Sequence, residues 1–522
     1  MLSTLSIESS RLLHGTAFLH RENYHPIATE DQKIAERWTR PSRMGLLGAN
    51  AVGTVDQAMA AVLFAKFSML RLAGLSNKVL IIDEIHAYDM YMSQIIETLL
   101  KWCYETEIPV ILLSATMQMD QKKRYLSCFN ADVAASQISN AYPLITQVAV
   151  SRSICQTPVR ASSKTKYIFT PVIIADAAET IAEHALLSVK EGGCVAVIMN
   201  TVVQAQEVYN ALINSGVKDV DIFLFHSRFT IRNRSDIEHR CVSLFGKDRS
   251  NRPTRAILVA TQVVEQSIDL DFDGIISELA PIDLLLQRAG RLHRHKGNKR
   301  PPLLSEPIMK VIVPETSKTD LETKYGKSGF VYDPFLLYNT EQRIGKGITI
   351  QVPGDIRENI ETVYKTITPI NQQSWMEKNF KDTHETASAK DKTWPAPNEK
   401  RFFPTQMPVY YNFADPDDGF VSTSEATTRL GNGSVRIAFC SPDVFDEIKS
   451  AKEVKSSYVD DIYLNSASIR IKDNELIDCD NAYCVEKGKL ADVWLLRGLT
   501  QVELITKKLC NDKDVGIRME AK

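Results

Sequence analysis

Apolar residues in this chain follow two patterns: short continuous runs, typical of buried strands, and a period of about 3.6 residues, typical of helices. Val79–Ile82 is one run of large apolar residues, and PVILLSAT, which starts at Pro109, is another. Between them, MYMSQIIETLLKWCYET repeats apolar residues at helical spacing. Strand, helix and strand in this order predict a βαβ crossover in a parallel sheet whose strands are covered on both faces.

The same alternation resumes after residues 151–170, which are rich in Ser, Thr, Lys and Pro. Strand-like runs in this part are CVAVIMNT, DIFLFHSR, AILVAT and GIISEL. We therefore predict an α/β protein with a first lobe at 1–150, an interdomain linker at 151–170 and a second lobe at 171–345. Residues 346–425 are polar and contain Pro and charge, so we expect a second linker there and a small C-terminal accessory domain at 426–522.

Composition narrows the class of protein. A chain of 522 residues is long enough for three or four domains. Its net charge of −2 gives no global attraction to nucleic acid, so any such binding needs local basic patches. The sequence has no run of about 18 apolar residues and no signal-like N-terminus, which predicts a cytoplasmic protein without a membrane partner. The nine cysteines are scattered, without the paired spacing of a zinc site.

Two acids, Asp83 and Glu84, follow the first apolar run directly. Open α/β sheets bind ligands at the carboxyl ends of their strands, where Asp83 could hold a magnesium ion and Glu84 could orient an attacking water. For an isolated pair of acids, a solvated turn is the favoured explanation. The pair gains weight from three further polar segments at strand ends or strand–helix junctions.

The first of these segments contains the hydroxyls of Ser114 and Thr116, which end the second run and could link a nucleotide site to a neighbouring lobe. The alternative is that they cap the following helix. Thr54 and Gln57 lie at a loop-to-helix junction upstream and suit contact with a phosphate backbone. A plain N-cap is again the alternative for Thr54.

The other two segments lie in the second lobe. Val259–Asp273 follows a strand and carries polar groups that could sense ribose, phosphate or a nucleic-acid backbone, or could form an ordinary surface loop: Thr261, Gln262, Glu265, Gln266 and Asp269. In QRAGRLHR, a helix would place Gln287, Arg291 and Arg294 on one face. Three cations, Arg288 included, are costly to place together without an anion, although a solvated basic helix remains the alternative.

Taken in order, VGTVDQA, DEIHAYD, SAT, ATQVVEQSIDLDFD and QRAGRLHRH resemble motifs of superfamily 2 nucleic-acid helicases. More narrowly, they resemble the CRISPR-associated helicase-nuclease family of type I interference systems. SGFVYDPFLLYNTEQ, PGDIRENIETVY, TTRLGNGSV and VWLLRGLTQVEL are similar to the type I-E branch, so the resemblance covers essentially the whole chain. It implies two RecA-like lobes, a linker and a C-terminal domain. It also implies an ATP-dependent DExH-box translocase that acts on single-stranded DNA.

The resemblance also implies roles for individual residues. Asp83 would bind magnesium and Glu84 the attacking water, while His86, with Ser114 and Thr116, would couple hydrolysis to lobe movement. Thr54 and Gln57 fall in a segment of the family that precedes these motifs. The residues expected to line the interlobe cleft are Thr261, Gln262, Glu265 and Asp269, and those expected to face the triphosphate are Gln287, Arg291 and Arg294.

The family acts on the displaced strand of an R-loop opened by a crRNA-guided surveillance complex, and these are the partners that the resemblance implies. This sequence departs from the family pattern in two places, because it has no G-x-x-x-x-G-K-[ST] phosphate loop and no His-Asp dipeptide. The GKS at 326–328 lacks the leading Gly of such a loop. We therefore expect the C-terminal part of a family protein, with a first lobe that is incomplete at its N-terminus and a partner chain that supplies the phosphate loop and the His-Asp nuclease.

Two other functions remain open at this point. One is a non-catalytic product, either a truncated fragment or a module that docks on DNA or on the surveillance complex. The other is an RNA helicase of the DEAH type, against which the extended segment at 259–273 and the terminal domain argue.

Overall fold

The computed structural model describes residues 10–13, 45–65, 67–133, 138–149, 151–161, 164–173, 178–265, 268–315, 320–397, 434–452, 454–471, 474–477, 479–485, 490 and 492–521. The chain divides into two compact units. The first comprises Met1–Arg160 and Met376–Gly431, and the second comprises Ala161–Trp375 and Asn432–Lys522.

The first segment of the first unit, which ends at Arg160, contains six described strands and four described α-helices. The strands are β1 (Ser10–Leu13), β2 (Asn50–Gly53), β3 (Leu80–Ile82), β4 (Val110–Leu112), β5 (Leu144–Val148) and β6 (Ile154–Pro158). The helices are α1 (Val55–Met59), α2 (Ser68–Leu75), α3 (Met90–Glu105) and α4 (Met119–Ser127). Strands β3 and β4 pair in parallel with α3 between them in the chain, which confirms the predicted βαβ crossover.

One face of the β3–β4 pair is buried and the other is exposed. Helix α3 supplies the buried side with a stripe that includes Tyr91, Ile95 and Leu99, which are inaccessible to solvent. On the other face, Ile81 is 58% exposed and Ile111 46% exposed, and Val79 and Leu113 are exposed beside them. The prediction that these strands are covered on both faces is therefore wrong for the part of the chain that the structure describes.

The core of the second unit is a seven-stranded sheet in the order β13-β7-β12-β11-β8-β10-β9. Its strands are β7 (Thr165–Ile173), β8 (Gly193–Ile198), β9 (Asp221–Phe225), β10 (Arg255–Ala260), β11 (Gly274–Glu278), β12 (Ile308–Val313) and β13 (Ile348–Val352). All neighbours are parallel except β13, which pairs antiparallel with β7 at the edge. Strands β8 and β11 are buried along their whole length, as expected for a parallel sheet covered on both faces.

Helices of this unit connect and cover the sheet. They are α5 (Ala178–Ser188), α6 (Val202–Asn214), α7 (Ile231–Phe245), α8 (Ile282–Ala289), α9 (Leu321–Lys324), α10 (Gly326–Gly329), α11 (Pro334–Ile344), α12 (Ile356–Lys365) and α13 (Gln372–Asp391), the last of which crosses the boundary between the units. The predicted α/β class is confirmed. The unit boundaries at 160 and 375 fall inside the two segments that we expected to be linkers, but those segments also contain regular structure.

The C-terminal part of the second unit has two small sheets with their own core. They are built from β14 (Val435–Cys440), β15 (Ser466–Ile469), β16 (Ala482–Cys484), β17 (Val493–Arg497), β18 (Gln501–Glu503), β19 (Lys507–Asp512) and β20 (Gly516–Ala521), with α14 (Pro442–Ala451), α15 (Ser456–Leu464) and α16 (Asn474–Ile477). Its core includes Ile437, Phe439, Leu496 and Leu509. We call this part the terminal domain.

Candidate nucleotide-hydrolysis site

In the first unit, Asp83 and Glu84 lie at the carboxyl end of β3 and are exposed. Glu84 adopts a left-handed backbone with φ 51°, which is uncommon for a residue other than glycine, and its N–H donates to Asp83 Oδ1 at 2.9 Å. This turn directs the chain into a short 3₁₀ helix, Ile85–Ala87. An exposed carboxylate at a strand end suits a magnesium ion that is held mainly by phosphates and water.

His86 connects the two acids to the end of β4. Its Nε2 lies 3.4 Å from Glu84 Oε2, and its Nδ1 lies 3.0 Å from Ser114 Oγ. Burial, opposed by Asp83, lowers the pKa of His86 to about 4, so the ring is neutral at pH 7. Because a carboxylate only accepts, Nε2 carries the proton and Nδ1 accepts from the Ser114 hydroxyl. A neutral ring therefore links Glu84 to Ser114.

Two side-chain hydroxyls hold the loop after β4 by hydrogen bonds to its backbone groups. Ser114 Oγ accepts from the N–H of Thr116 at 3.3 Å, and the hydroxyl of Tyr142 donates to the Ala115 carbonyl at 2.5 Å. Helix α4 begins at Met119 with Gln118 as its N-cap, so neither predicted hydroxyl caps it. Thr116 is buried, and its Oγ1 has no hydrogen-bond partner among the described residues.

Thr54 and Gln57 lie upstream of these residues in the chain, at the start of α1. Thr54 occupies the N-cap position, but its side chain makes no capping bond and is exposed. Gln57 is half-buried, and its N–H donates to the Thr54 carbonyl at 3.1 Å. The capping alternative therefore does not account for the Thr54 hydroxyl, and its contact with a phosphate backbone stays a prediction.

In the second unit, the segment after β10 begins with Thr261, which is buried, and Gln262, which is half-buried. The side-chain amide of Gln262 donates to the Asn200 carbonyl at 2.9 Å and to the Tyr332 hydroxyl at 3.0 Å. Gln266 falls outside the described residues. Asp269 is exposed and pairs with Arg294 at 2.6 Å.

Arg288 is fully buried, and its guanidinium has a partner for each of its five N–H groups. Nε donates to Glu265 at 2.7 Å, and the two terminal nitrogens donate to Ser277 Oγ, the Glu278 carbonyl, Asn200 Oδ1 and the Tyr332 hydroxyl. Glu265, which we expected to line a cleft, is itself buried against this guanidinium. The pair is a structural support under the segment after β10.

The predicted helical face at 287–294 requires correction. Helix α8 ends at Ala289, and Leu292 forms a β-bridge with Phe272 that draws the chain out of the helix. Gln287 therefore lies on the helix and is half-buried, whereas Arg291 and Arg294 follow it in a turn. Arg291 is nearly buried and donates to the Val264 and Glu265 carbonyls at 3.1 and 2.7 Å.

Sequence reasoning missed four residues that hold this region together. Ser328 donates to Glu278 Oε1 at 2.5 Å and accepts from the Asn200 amide at 2.9 Å, and Tyr332 accepts from both Gln262 and Arg288. Ser328 is thus a buried network residue, which supports the rejection of the GKS as a phosphate loop. No local spacing signals these contacts, because the partners lie 44 to 128 residues apart.

No cluster of three or more potential metal ligands occurs among the described residues. Within the same part of the chain, no helix combines the length and apolar character needed to cross a membrane.

The sequence is similar to a known protein family and to several of its members. Residues 191–297 match the family model "CRISPR-associated nuclease/helicase Cas3, C-terminal". The chain is 32% identical to the CRISPR-associated endonuclease/helicase Cas3 of Escherichia coli over 445 residues, which cover 81% of this chain and 48% of that protein. The chain is thus similar to part of the CRISPR-associated nuclease/helicases. It belongs to the Cas3 family and corresponds to the C-terminal helicase region.

Solved structures agree with this assignment. The T. fusca Cas3–ATP crystal structure superposes with a TM-score of 0.79 at 28% identity, covering 98% of this chain and 62% of that one. A chain in a CRISPR RNA-guided surveillance complex, pre-nicking, superposes with a TM-score of 0.71 at 26% identity, covering 98% and 64%. The chain spans about half the length of the curated relatives that it matches.

Proposed function

We propose that this chain is the ATP-dependent DExH-box helicase portion of a type I-E Cas3, with two RecA-like lobes that translocate on single-stranded DNA. The observation that carries the proposal is the link from Glu84 through neutral His86 to Ser114. It ties the residue that would orient the attacking water to the loop after the neighbouring strand. Loss of the γ-phosphate beside Glu84 would then alter the position of that loop through His86. Such a link is what coupling of hydrolysis to movement requires.

ATP and Mg²⁺ are the proposed ligands. The relatives solved with ATP and with AMPPNP support nucleotide binding. Asp83 would hold the magnesium ion, Glu84 would accept a proton from the attacking water, and Arg291 would stabilise charge on the transferring phosphoryl group. Asp269, Gln287 and Arg294 are proposed as further nucleotide contacts. The proposed coupling and nucleic-acid contacts are Thr54, Gln57, Ser114, Thr116, Thr261 and Gln262, and Glu265 would contribute to coupling through its ion pair with Arg288.

The proposed partners are the displaced DNA strand and the crRNA-guided surveillance complex, as suggested by the relative solved within such a complex. The hydrolysis proposal also requires a phosphate loop, a motif that these 522 residues do not contain. That loop supplies backbone N–H donors, a Lys and a magnesium-binding hydroxyl, and Glu84 needs a γ-phosphate held by them.

A second candidate function is a non-catalytic binding module. The exposed apolar face of β3 and β4 favours it, because a hydrolysis site beside an uncovered strand pair is poorly fixed. A protein with this function would bind DNA or the surveillance complex but would not hydrolyse ATP.

DNA-stimulated ATPase assays separate the two functions. The 522-residue chain is assayed alone and mixed with a separately expressed phosphate-loop piece from the half of the E. coli relative that this chain does not match. We expect turnover in the mixture only, and loss of turnover with Glu84→Gln. A mixture that forms a complex but hydrolyses no ATP would establish the binding module. Activity of the lone chain that Glu84→Gln removes would refute the need for the loop.

A further inference from the structure

A helical turn of the second unit, at residues 328–332, contacts the candidate residues although it belongs to neither of the segments that carry them. The Ser328 hydroxyl is buried, donates to Glu278 Oε1 at 2.5 Å and accepts from the Asn200 amide at 2.9 Å. The N–H of Tyr332 donates to the Ser328 carbonyl at 2.9 Å. Tyr332 is therefore held by a residue that is itself fixed to the carboxyl end of β11.

The Tyr332 hydroxyl contacts both segments that carry the candidate residues. Its oxygen accepts from the side-chain amide of Gln262 at 3.0 Å and from Arg288 at 3.2 Å. The Gln262 amide also donates to the Asn200 carbonyl at 2.9 Å, and because a carbonyl only accepts, this contact fixes which way the amide points. Burial raises the pKa of Tyr332, so the hydroxyl stays neutral at pH 7 and both lone pairs serve as acceptors.

These two contacts support Arg291 from two sides. Its guanidinium donates to the carbonyls of Val264 and Glu265 at 3.1 and 2.7 Å, at the end of the short 3₁₀ helix that begins with Gln262. Its backbone N–H donates to the Arg288 carbonyl at 2.9 Å. The tyrosine thus joins the segment that holds the arginine side chain to the segment that holds the arginine backbone.

We propose that Tyr332 is a positioning residue for ATP hydrolysis, whose hydroxyl fixes the two segments that hold Arg291. A group that stabilises a transition state has to be held within about 0.5 Å of its productive position, and a second layer of hydrogen bonds provides this precision. Tyr332 lies outside the segments that resemble general helicase motifs. The inference rests on the proposed function, because Tyr332 acts on the reaction through Arg291.

The first test is hydrogen exchange of the 522-residue chain, which needs no ATP hydrolysis. Tyr332→Phe removes only the hydroxyl and leaves one N–H of Gln262 and one N–H of Arg288 without their acceptor, a cost that local opening relieves. The backbone amides of Glu265 and Arg291 are hydrogen-bonded within the two segments. We expect their exchange to become about tenfold faster in Tyr332→Phe.

The second test is steady-state ATP hydrolysis by the chain mixed with the phosphate-loop piece. Tyr332→Phe should lower kcat by about tenfold and leave the KM for ATP within about twofold, because it misplaces Arg291 and removes no group that binds the substrate. In an Arg291→Ala background, measured in single turnovers, Tyr332→Phe should lower the rate by less than about twofold. A residue that acts through Arg291 has little further effect once that side chain is absent.

Tyr325→Phe is the matched control. Tyr325 is a buried tyrosine of the same unit whose hydroxyl donates to Glu341 Oε2 at 2.7 Å, so the substitution removes a comparable buried hydrogen bond that involves neither candidate segment. It should lower the stability of the chain in urea unfolding about as much as Tyr332→Phe does. It should leave kcat and the exchange of the Glu265 and Arg291 amides unchanged.

Three results would overturn the inference. They are unchanged exchange of the Glu265 and Arg291 amides in Tyr332→Phe, a kcat that Tyr332→Phe leaves unchanged or that Tyr325→Phe lowers equally, and a fall in rate that is the same with and without the Arg291 side chain. Failure of the proposed function gives a different result, because the wild-type mixture would then show no turnover that Glu84→Gln removes. The exchange measurement would still decide whether Tyr332 fixes the two segments.

Discussion

Arg288 and Arg291 lie three residues apart but have different surroundings. All five N–H groups of Arg288 are occupied by protein acceptors, one of them the buried carboxylate of Glu265. Arg291 donates to two backbone carbonyls, those of Val264 and Glu265. Since Arg288 has no N–H group left to donate to a ligand, Arg291 is the better candidate for transition-state stabilisation.

In the complex restored with a phosphate-loop piece, Arg291→Ala should lower ATP turnover by roughly 10³-fold or more, equivalent to about 4 kcal/mol of transition-state stabilisation. DNA affinity should change little. Steady-state ATPase assays and anisotropy measure the two quantities. Arg255→Ala is the control. Arg255 pairs with Asp219 and lies at the start of β10, whereas the candidate residues follow the other end of this strand. A fall in turnover of less than about tenfold would reassign Arg291 to a DNA-binding or purely structural role.

Among the elements, β3 and β4 are notable for an apolar face that is open to solvent. They form a two-stranded sheet, and the face opposite α3 exposes Val79, Ile81, Ile111 and Leu113. Covering a large apolar side chain contributes about 1.5–3 kcal/mol, so a contiguous group of four favours association with another element. We infer that the polypeptide that carries the phosphate loop packs on this face.

Ile111→Asp should therefore prevent the ATPase activity of the mixture while it raises the solubility of the chain alone, because a charge on this face opposes burial. Pull-down of the loop piece and light scattering measure the two effects. Ile173→Asp is the matched control, since Ile173 is an exposed isoleucine of β7 in the second unit. Unchanged activity in Ile111→Asp would show that this face is not the docking surface.

The alternation of strands and helices could be predicted because buried parallel strands appear as continuous apolar runs, as in β8 and β10. Interruptions of helices could not be predicted, since they depend on distant partners. Leu63 bridges to Thr393 in the stretch between α1 and α2, and Leu292 ends α8 by bridging to Phe272. The acids and the Arg-rich turn were visible in the sequence, whereas Tyr332 and Asn200 were not, because only the fold brings them to Arg288.

The junction between the second lobe and the terminal domain, where His226 Nε2 is bonded to the Val515 carbonyl at 3.0 Å, should be sensitive to acid. Burial lowers the pKa of His226 to about 4 from an ordinary 6.5, so the folded ring stays neutral in a range where the unfolded ring binds a proton. Stability from this group is fully present above about pH 6.5 and falls as the pH drops towards 4, by up to about 3 kcal/mol.

His226→Gln should flatten this dependence, because glutamine does not titrate and can still donate to the Val515 carbonyl. Urea unfolding between pH 7 and pH 4.5, followed by a probe in the second unit, measures the difference. His239→Gln, at an exposed position on α7, is the control and should leave the slope as in the wild type. Equal pH slopes in the wild type and His226→Gln would contradict the assignment.

The two units differ in how well their described strands are covered. The second has a seven-stranded sheet with strands buried on both faces, and the terminal domain adds its own core. In the first unit, β3 and β4 pair with no third strand among the described residues. Two-stranded sheets are marginal without further strands or helices to cover them. The first unit should therefore open locally far more often than the second.

Hydrogen exchange of the 522-residue chain should show this difference directly. Amides of β8 and β10, which have neighbours on both sides, should exchange near the rate of global unfolding of the second unit, while those of β3 and β4 should exchange much faster. Addition of the phosphate-loop piece should slow exchange in β3 and β4 by at least about tenfold, since binding to the closed form suppresses opening by mass action. The second unit should be unaffected, and Ile111→Asp should remove the protection. Slow exchange of β3 and β4 in the chain alone would mean that the first unit is already stable and that its apolar face serves another purpose.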